Sequence, residues 1–248
     1  MPYPPAVLFD LDGTLTDPME GITKSVQIAL RRQGIEVADR RTLCPFIGPP
    51  LFESFQRFFS LDDERAARAV EDYRAYFSVT GIFENKVYPG IPGLLQRLHD
   101  GGTFTAVATL KPAVFARRIV EHFGLLPFLD RVAGSELDGR HTTKGEIVRL
   151  ALDGLSPAMR EGAVMVGDRE NDIRGGKENG LHTVGVLFGY GSEAELRAAG
   201  ADGLAEDAAS LEALLRAFPP RREGAAPDTR RGGGEPVKNE DGIADGME

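Results

Sequence analysis

A short apolar run near the amino terminus ends in two aspartates, and this junction constrains the fold more than any other stretch. Residues 6–9 read Ala-Val-Leu-Phe, a pattern typical of a buried β-strand, and Asp10 and Asp12 follow. Because side chains alternate along an extended chain, both carboxylates are expected to emerge together at the strand's carboxyl end. Gly13 permits a sharp turn, and Thr14 adds a hydroxyl. Two adjacent carboxylates suit a hard cation such as Mg²⁺.

Two other interpretations of this stretch need to be weighed. An Asp-Gly pair can simply close a turn, and an acidic loop can bind calcium. A calcium loop that began at Asp10 would need Gly at its sixth position and Glu at its twelfth, where Leu15 and Gly21 stand. The calcium loop is excluded. The turn is disfavoured because the pair directly follows a buried strand and has polar partners downstream.

Strands and helices alternate from residue 88 onward, which predicts an α/β fold. Apolar runs at 105–108, 164–166 and 183–187 are predicted as strands, with amphipathic segments between them. This alternation is typical of a Rossmann-like, doubly wound parallel sheet, whose ligands lie outside the carboxyl ends of the strands. Residues 17–87 are predicted instead as successive helices. We therefore expect an α-helical domain inserted into an α/β core of residues 1–16 and 88–218.

Three features are predicted in the last third of the chain. Ser192 and Glu195 have the spacing of a capping box, which predicts a helix that ends near residue 199. A final helix is predicted at 211–217. Residues 219–248 are rich in Gly, Pro and charged side chains and contain no aromatic residue. Such a composition cannot bury enough apolar surface to offset ordering, so we expect a disordered tail.

Composition excludes several classes of partner. A net charge of −9 argues against nucleic acid and anionic membranes. Cys44 is the only cysteine, so an internal disulfide is impossible and a reducing compartment fits. Residues 1–5 lack the basic and apolar regions of a signal peptide, and no stretch approaches the length of a membrane span. These observations predict a soluble cytoplasmic protein, which we expect to be a monomer or homodimer with a small-molecule partner.

The sequence Phe-Asp-Leu-Asp-Gly-Thr-Leu at residues 9–15 resembles the first motif of the haloacid dehalogenase superfamily. The resemblance extends over roughly residues 5–217. Most members of that superfamily are Mg²⁺-dependent phosphohydrolases. The resemblance implies that Asp10 becomes phosphorylated during catalysis and that Asp12 is the general acid and base. It also implies that the inserted helices form a cap that closes over the pocket and selects the substrate.

The second and third motifs of the superfamily have counterparts downstream. Thr109, which ends the predicted strand 105–108, matches the hydroxyl residue of the second motif, where it could hold a phosphoryl oxygen. Leu110 stands where relatives often have a polar residue, which places a polar contact from that side chain in doubt. Lys144, just before a predicted helix, matches the charge-neutralising lysine of the third motif. Lys111 is the rival for this role.

The fourth motif completes the predicted metal site. Gly167 and Asp168 follow the strand 164–166, and Asp172 lies four residues further on, which resembles the Gly-Asp-x-x-x-Asp pattern of the superfamily. The resemblance implies that Asp10, Asp12 and Asp168 bind Mg²⁺. Asp172 is expected just outside these ligands, or as the residue that orients the lysine. The residues expected to contact the substrate are Gly13, Thr14, Gly48, Leu110 and Lys111, with Gly48 as the candidate specificity element.

Other chemistries fit the sequence less well. A cysteine phosphatase needs Arg six residues after its nucleophile, but Pro50 stands six residues after Cys44. The chain has neither a G-x-x-x-x-G-K nor an H-E-x-x-H motif. True dehalogenases of the superfamily lack the second aspartate, so Asp12 favours phosphate chemistry. Sugar phosphomutases usually carry Glu where this chain has Gly167. The sequence therefore predicts a phosphatase.

The substrate is less constrained than the reaction. Residues 21–27, 47–55 and 138–139 resemble the phosphoglycolate phosphatase-like branch, some of whose members act on 5′-nucleotides. A 5′-nucleotidase, a sugar-phosphate phosphatase and a phosphomutase of the same superfamily remain alternatives. A non-enzymatic binding module with an inactive site is another, which the intact Asp10, Asp12 and Asp168 disfavour.

Overall fold

The computed structural model describes residues 3–138 and 140–218. The tail predicted at 219–248 lies outside these residues. The strands are β1 (Ala6–Phe9), β2 (Thr16–Asp17), β3 (Lys86–Val87), β4 (Phe104–Pro112), β5 (Arg131–Ser135), β6 (Val164–Gly167), β7 (His182–Val186) and β8 (Gly203–Ala205). The helices are α1 (Met19–Arg32), α2 (Leu51–Phe59), α3 (Asp63–Phe77), α4 (Ile91–Asp100), α5 (Ala113–His122), α6 (Lys144–Ala151), α7 (Pro157–Arg160), α8 (Glu170–Glu178), α9 (Glu193–Ala198) and α10 (Ala208–Ala217). Short 3₁₀ helices span Arg40–Phe46, Gly81–Phe83 and Leu126–Phe128.

Six strands form one parallel sheet in the order β5-β4-β1-β6-β7-β8. The predicted doubly wound α/β fold is confirmed. The first strand lies at the centre, where Leu8 is opposite Ala106 of β4 on one side and Met165 of β6 on the other. The chain builds outward from β1 in one direction through β4 and β5, then crosses to β6 and builds in the other. This reversal opens a crevice at the carboxyl end of β1, where ligands of such sheets bind.

Both faces of the sheet are covered by helices, which explains why the central strands β1 and β6 are apolar without polar alternation. Val7 and Phe9 point to the face covered by the larger core cluster, which includes α4 and α5. Leu8 points to the opposite face, where it packs with Ile147 of α6. Because β1 is fully buried on both faces, its carboxyl end is held rigidly.

The segment of residues 18–85, here called the insert, contains α1, α2 and α3 and two of the 3₁₀ helices. At its two ends, β2 and β3 pair antiparallel as a two-residue ribbon, with Thr16 opposite Val87 and Asp17 opposite Lys86. Residues 17–87 had been predicted as helices alone, so the prediction missed this ribbon. It returns the chain to the sheet close to where it left. None of the helices in the described ranges is long and apolar enough to cross a membrane.

Several element boundaries differ from the predicted ones. β4 extends to Pro112, so Thr109 lies within the strand, at the start of a register shift against β5. The predicted capping box is only half formed: Ser192 accepts from the Glu195 N–H, but the Glu195 side chain binds elsewhere. The final helix begins at Ala208, where Asp207 caps it.

Candidate active site

The polar residues singled out by the sequence converge at the carboxyl edge of the sheet. Asp10 directly follows β1, and Asp168 directly follows β6. The Asp10 N–H donates to the Val166 carbonyl at 2.8 Å, which continues the pairing of these two strands into the site. Thr109 approaches from β4 on the other side of β1. All three side chains are buried, so the sheet itself fixes their relative positions.

The turn after β1 brings the chain close to Asp168 and requires glycine. Gly13 has a φ of +86°, and a Cβ atom there would overlap the Asp168 carboxylate. Its N–H donates to the Thr16 carbonyl at 2.7 Å. The buried Thr14 hydroxyl donates to Asp168 Oδ1 at 3.4 Å. These two predicted substrate-binding residues therefore lie against Asp168.

Lys144 is bound by two carboxylates and a carbonyl. Its Nζ lies 2.9 Å from Asp10 Oδ1 and 2.6 Å from Asp172 Oδ1, and it donates to the Ala108 carbonyl at 3.0 Å. Lys144 is the first residue of α6, which Thr143 opens with a complete capping box. Burial lowers the pKa of Lys144, but the two carboxylates outweigh this effect and raise the pKa above its ordinary value. The lysine is charged in the folded protein.

Asp12 has a different cationic partner. Its Oδ2 lies 2.8 Å from Lys111 Nζ, and both side chains are buried. Its Oδ1 is buried and has no hydrogen-bond partner among the described residues. Burial raises the pKa of Asp12, and the positive charge of Lys111 partly opposes that shift. The Lys111 N–H donates to Thr109 Oγ1 at 3.3 Å, which fixes the backbone at this position.

The carboxylates of Asp10, Asp168 and Asp172 could hold a metal ion, since an oxygen of each lies within 4.8 Å of the others. Burial raises the pKa of Asp168 well above its ordinary value, and its two acidic neighbours raise it further. A divalent cation would relieve this repulsion, and an all-oxygen donor set suits Mg²⁺. Asp12 had been predicted as a ligand, but its carboxylate is not part of this group.

The two oxygens of Asp172 are already engaged. Oδ1 binds Lys144, and Oδ2 accepts from the Arg169 N–H at 3.0 Å. Burial raises the pKa of Asp172, while Lys144 opposes the shift. Asp172 therefore orients the lysine and lies within the same carboxylate group as Asp10 and Asp168.

The loop after β7 supports Asp168 and was missed by the sequence analysis. The Tyr190 N–H donates to Asp168 Oδ2 at 2.7 Å, and its hydroxyl donates to Asp17 Oδ1. A Cβ atom at Gly189 would overlap both Asp168 and the Gly13 carbonyl. The sequence signal is the Gly-Tyr-Gly triplet at 189–191, directly after a predicted strand, where close backbone approach requires glycine.

A cavity of about 460 Å³ lies between the sheet edge and the insert. Asp10, Asp12, Thr109 and Lys144 line its base. Predicted substrate-binding residues also line it, namely Gly48, Leu110 and Lys111. Apolar side chains from both sides complete the walls; they include Phe46, Leu51, Phe52, Val70, Phe77 and Phe115.

Arg169 crosses from the sheet edge to the insert and was also missed. Its Nη1 donates to the Ile47 carbonyl at 3.1 Å, in the loop that contains Gly48. Its Nε donates to Glu195 Oε1 at 2.8 Å, and the same oxygen accepts from the Glu170 N–H at 3.0 Å. Arg169 thus ties the residue next to Asp168 to the wall of the cavity that the insert contributes.

Comparisons with known proteins agree with this architecture. The family of haloacid dehalogenase-like hydrolases matches residues 7–186. A 5′-nucleotidase of Pseudomonas aeruginosa is 48% identical over 211 residues, which cover 85% of this chain and 95% of that protein. The tyrosine-protein kinase PtkA of Mycobacterium tuberculosis is 40% identical over 188 residues, which cover 76% of this chain and 64% of the kinase.

A solved structure extends the agreement to three dimensions. The crystal structure of a predicted phosphatase from Clostridium acetobutylicum has a TM-score of 0.82 and 45% identity, and the match covers 88% of this chain and 100% of that one. The chain belongs to the haloacid dehalogenase-like hydrolase family, as its motifs predicted.

Proposed function

We propose that the protein is a Mg²⁺-dependent phosphatase that hydrolyses a small phosphate monoester through an aspartyl phosphate on Asp10. The observation that carries this proposal is the buried Lys144, which bridges Asp10 and Asp172 beside Asp168. A nucleophilic carboxylate next to a fixed positive charge suits attack on a phosphorus atom whose oxygens carry negative charge.

Each residue has a distinct proposed role. Asp10 Oδ2 attacks the phosphorus in line, while Oδ1 stays bound to Lys144. Lys144 and the Thr109 hydroxyl stabilise the phosphoryl oxygens. Asp12 gives a proton to the leaving oxygen and later takes one from the water that hydrolyses the acyl phosphate.

Mg²⁺, held by Asp10 and Asp168 with Asp172 beside them, would neutralise charge on the phosphoryl group. The roles of Asp10 and Asp168 as ligands rest on their carboxylates lying within one group.

We propose that the insert acts as a cap that excludes water and selects the leaving group. A cavity of about 460 Å³ with aromatic walls exceeds the needs of glycolate and suits a nucleoside. The similarity to a 5′-nucleotidase supports the same choice. A 5′-nucleotide is therefore the proposed substrate class, ahead of phosphoglycolate, and the lone Cys44 supports a reaction in the cytoplasm.

The test is phosphate release from p-nitrophenyl phosphate, 5′-nucleotides, phosphoglycolate and sugar phosphates, with Mg²⁺ and with EDTA. We expect hydrolysis that requires Mg²⁺, with 5′-nucleotides preferred to phosphoglycolate. Hydrolysis that continues in EDTA after exhaustive chelation would contradict the metal assignment. Failure to hydrolyse any ester would overturn the proposed function.

A further inference from the structure

Two lysines reach the carboxyl edge of the sheet, and each pairs with a different leading aspartate. Lys144 is bound by Asp10 and Asp172, whereas Lys111 Nζ lies 2.8 Å from Asp12 Oδ2. The side chains of Lys111 and Asp12 are only 7% and 9% exposed. Lysine is rarely buried to this extent without a specific role for the charge, because desolvation is costly.

This pairing leaves the two oxygens of Asp12 in different states. Oδ2 is held by the ammonium group of Lys111. Oδ1 is buried and has no hydrogen-bond partner in the described part of the chain, although Asp12 lines the cavity. A buried carboxylate oxygen without a partner is unfavourable. Oδ1 is therefore the atom that remains to bind a leaving-group oxygen or a water that enters the cavity.

The insert covers the other side of Lys111. The ammonium lies 4.4 Å from the centroid of the Phe77 ring, which belongs to α3. Phe77 is itself buried, stacked on Tyr73 with centroids 5.2 Å apart and edge-on to Phe115 of α5 at 5.8 Å. A cation above a desolvated aromatic face is attracted by the ring quadrupole. The ammonium thus lies between a carboxylate of the sheet edge and a ring of the insert.

We propose that Lys111 is a positioning residue for Asp12, and that Phe77 makes this positioning depend on the insert lying against the sheet edge. The inference rests on the proposed function, because Asp12 is the general acid and base of that function. Lys111 holds Oδ2 and so presents Oδ1 to the reacting oxygen. Withdrawal of α3 removes the ring, exposes the ammonium to water and frees the Asp12 side chain. Proton transfer is thereby confined to the covered site.

A lysine at this edge could instead bind phosphoryl oxygens, which is the substrate-binding role that the sequence predicted. The two roles differ kinetically. A phosphate-binding lysine contributes to every ester and to the binding of inorganic phosphate. A residue that positions the general acid matters most for a poor leaving group, which needs a proton.

The experiment compares Lys111→Met and Lys111→Arg with Lys177→Met in the full-length protein. Lys177 forms a pair of similar length with Asp202, 2.9 Å, outside the cavity, so its variant controls for the loss of one lysine–aspartate pair. For each variant, kcat and KM are measured with two substrates. One is a 5′-nucleotide, which is an alkyl ester, and the other is p-nitrophenyl phosphate, whose leaving group is good. The inhibition constant of inorganic phosphate is measured alongside.

For Lys111→Met we expect kcat for the alkyl ester to fall about 10- to 100-fold, part of the roughly 10²–10⁴-fold that general acid–base catalysis supplies. The loss with p-nitrophenyl phosphate should be several-fold smaller, and the inhibition constant of phosphate should stay within about twofold. Lys111→Arg should recover part of the loss, since it retains the charge. Equal losses on both esters together with weakened phosphate inhibition would overturn the inference and assign Lys111 to phosphate binding.

The dependence on the insert is tested with Phe77→Leu, alone and combined with Lys111→Met. Leucine keeps the apolar contact but removes the aromatic face. We expect the same selective fall in kcat for the alkyl ester. The double variant should have the same kcat as Lys111→Met alone, because both changes act through one contact. Losses that multiply would overturn the role of Phe77. A wild-type protein that hydrolyses no ester would overturn the proposed function. If the wild type is active and Lys111→Met leaves kcat for the alkyl ester unchanged, only this inference is overturned.

Discussion

Asp10 and Asp12 lie one residue apart, yet the fold gives their carboxylates different partners. Asp10 shares Lys144 with Asp172, and Asp12 pairs with Lys111. The difference arises because β1 ends at Phe9 and the chain turns at Gly13. One side chain therefore reaches Lys144 at the start of α6, and the other reaches Lys111 of β4. Two residues of the same type in one motif are thus set up for different chemistry.

Replacement of each aspartate by asparagine should therefore impair a different step of catalysis. Asp10→Asn removes the nucleophile, so activity on every ester should fall by at least about 10³-fold, within the range that enzymes supply. Asp12→Asn should lose most activity on alkyl esters but should still be phosphorylated by p-nitrophenyl phosphate, because that leaving group needs no acid. The phosphoenzyme should then accumulate, and mass spectrometry of the intact protein should detect the added phosphate.

The site of phosphorylation provides the control for this prediction. Peptide mapping of the Asp12→Asn phosphoenzyme should place the phosphate on Asp10. A label on another residue, or an Asp10→Asn variant that remains active, would contradict the proposed mechanism.

Gly48 combines a constrained backbone with a sensitive location. Its φ is +104°, and a Cβ atom would lie 3.5 Å from Cγ and Nη1 of Arg169. Gly48→Leu should cost about 1–2 kcal/mol through the left-handed backbone and should also push a side chain into the cavity wall. We expect KM for a 5′-nucleotide to rise more than KM for p-nitrophenyl phosphate, because only the former fills the cavity.

Gly34→Leu is a matched control for this effect. Gly34 also lies in the insert and has a φ of +78°, but nothing is within 4 Å of its Cβ position. The two variants should lose similar stability, and only Gly48→Leu should alter substrate preference. Equal effects of Gly48→Leu on both esters would indicate that the loop governs folding or closure.

At the scale of elements, α9 supports the site through Glu195, whose side chain binds residues outside its own helix. Ser192 caps α9, while Glu195 reaches across to Arg169 and to the Glu170 N–H at the start of α8. Burial raises the pKa of Glu195, but these donors outweigh it and hold the pKa below its ordinary value. Glu195 therefore does not complete the capping box of α9 but holds Arg169, which contacts the insert.

Glu195→Gln should weaken this link without removing the acceptor for Glu170. We expect a loss of about 1.5 kcal/mol, the lower end of the range for a hydrogen bond to a charged group, and a rise of several-fold in KM for a 5′-nucleotide. Thermal unfolding and steady-state kinetics measure the two effects. Glu193→Gln, in the same helix and exposed with Arg197, should change neither. An unchanged KM in Glu195→Gln would show that the link to Ile47 does not shape the cavity.

The elements predicted well from sequence are those whose signal is local. β1 and β6 are runs of apolar residues followed by aspartate, and both the strands and their polar ends are where the pattern placed them. The doubly wound parallel fold was predicted from the alternation of strands and helices. Lys144 was identifiable because it stands at a predicted helix start and matches the third motif of the family; the structure makes it the first residue of α6.

Features that depend on distant contacts could not be predicted in this way. β8 has only three residues, Gly203–Ala205, and its strand conformation depends on pairing with β7. The support of Asp168 by Tyr190 comes through a backbone N–H, so the glycines on either side of Tyr190 are its only trace in the sequence. The Asp12–Lys111 pair joins two motifs that are each recognisable, but their pairing is set by the turn at Gly13 and the register shift after Thr109.

At the scale of the whole molecule, one carboxylate joins both ends of the described chain to the middle. Glu212 in α10 accepts from the Tyr3 hydroxyl at 2.5 Å, from Arg97 of α4 at 2.6 Å and from Arg216 at 2.9 Å. The donors, first of all Arg97, lower the pKa of Glu212 to about 2. An unfolded glutamate titrates near 4.3, so the unfolded chain binds more protons between these two values. The contribution of Glu212 is therefore present above about pH 4.3 and is lost as the pH falls toward 2.

Glu212→Gln should reproduce this loss at neutral pH. We expect a decrease of about 1 kcal/mol at pH 7, equivalent to roughly 2–4 °C in Tm, because the network is only partly shielded from water. The difference from wild type should shrink when unfolding is measured at progressively lower pH below 4.3. Glu193→Gln again serves as the control, and a difference that grows toward acid pH would contradict the assignment.

The central position of β1 has a consequence for how the protein is made. During synthesis, residues 6–9 emerge well before their neighbours in the sheet, residues 104–107 and 164–166. The nascent chain therefore carries the aspartate motif without both of its flanking strands until residue 166 has been synthesised. Such distant pairing slows folding, because long loops must close before the contacts form. The catalytic edge is completed only after β6 has emerged, so a truncated translation product that stops short of it has no competent site.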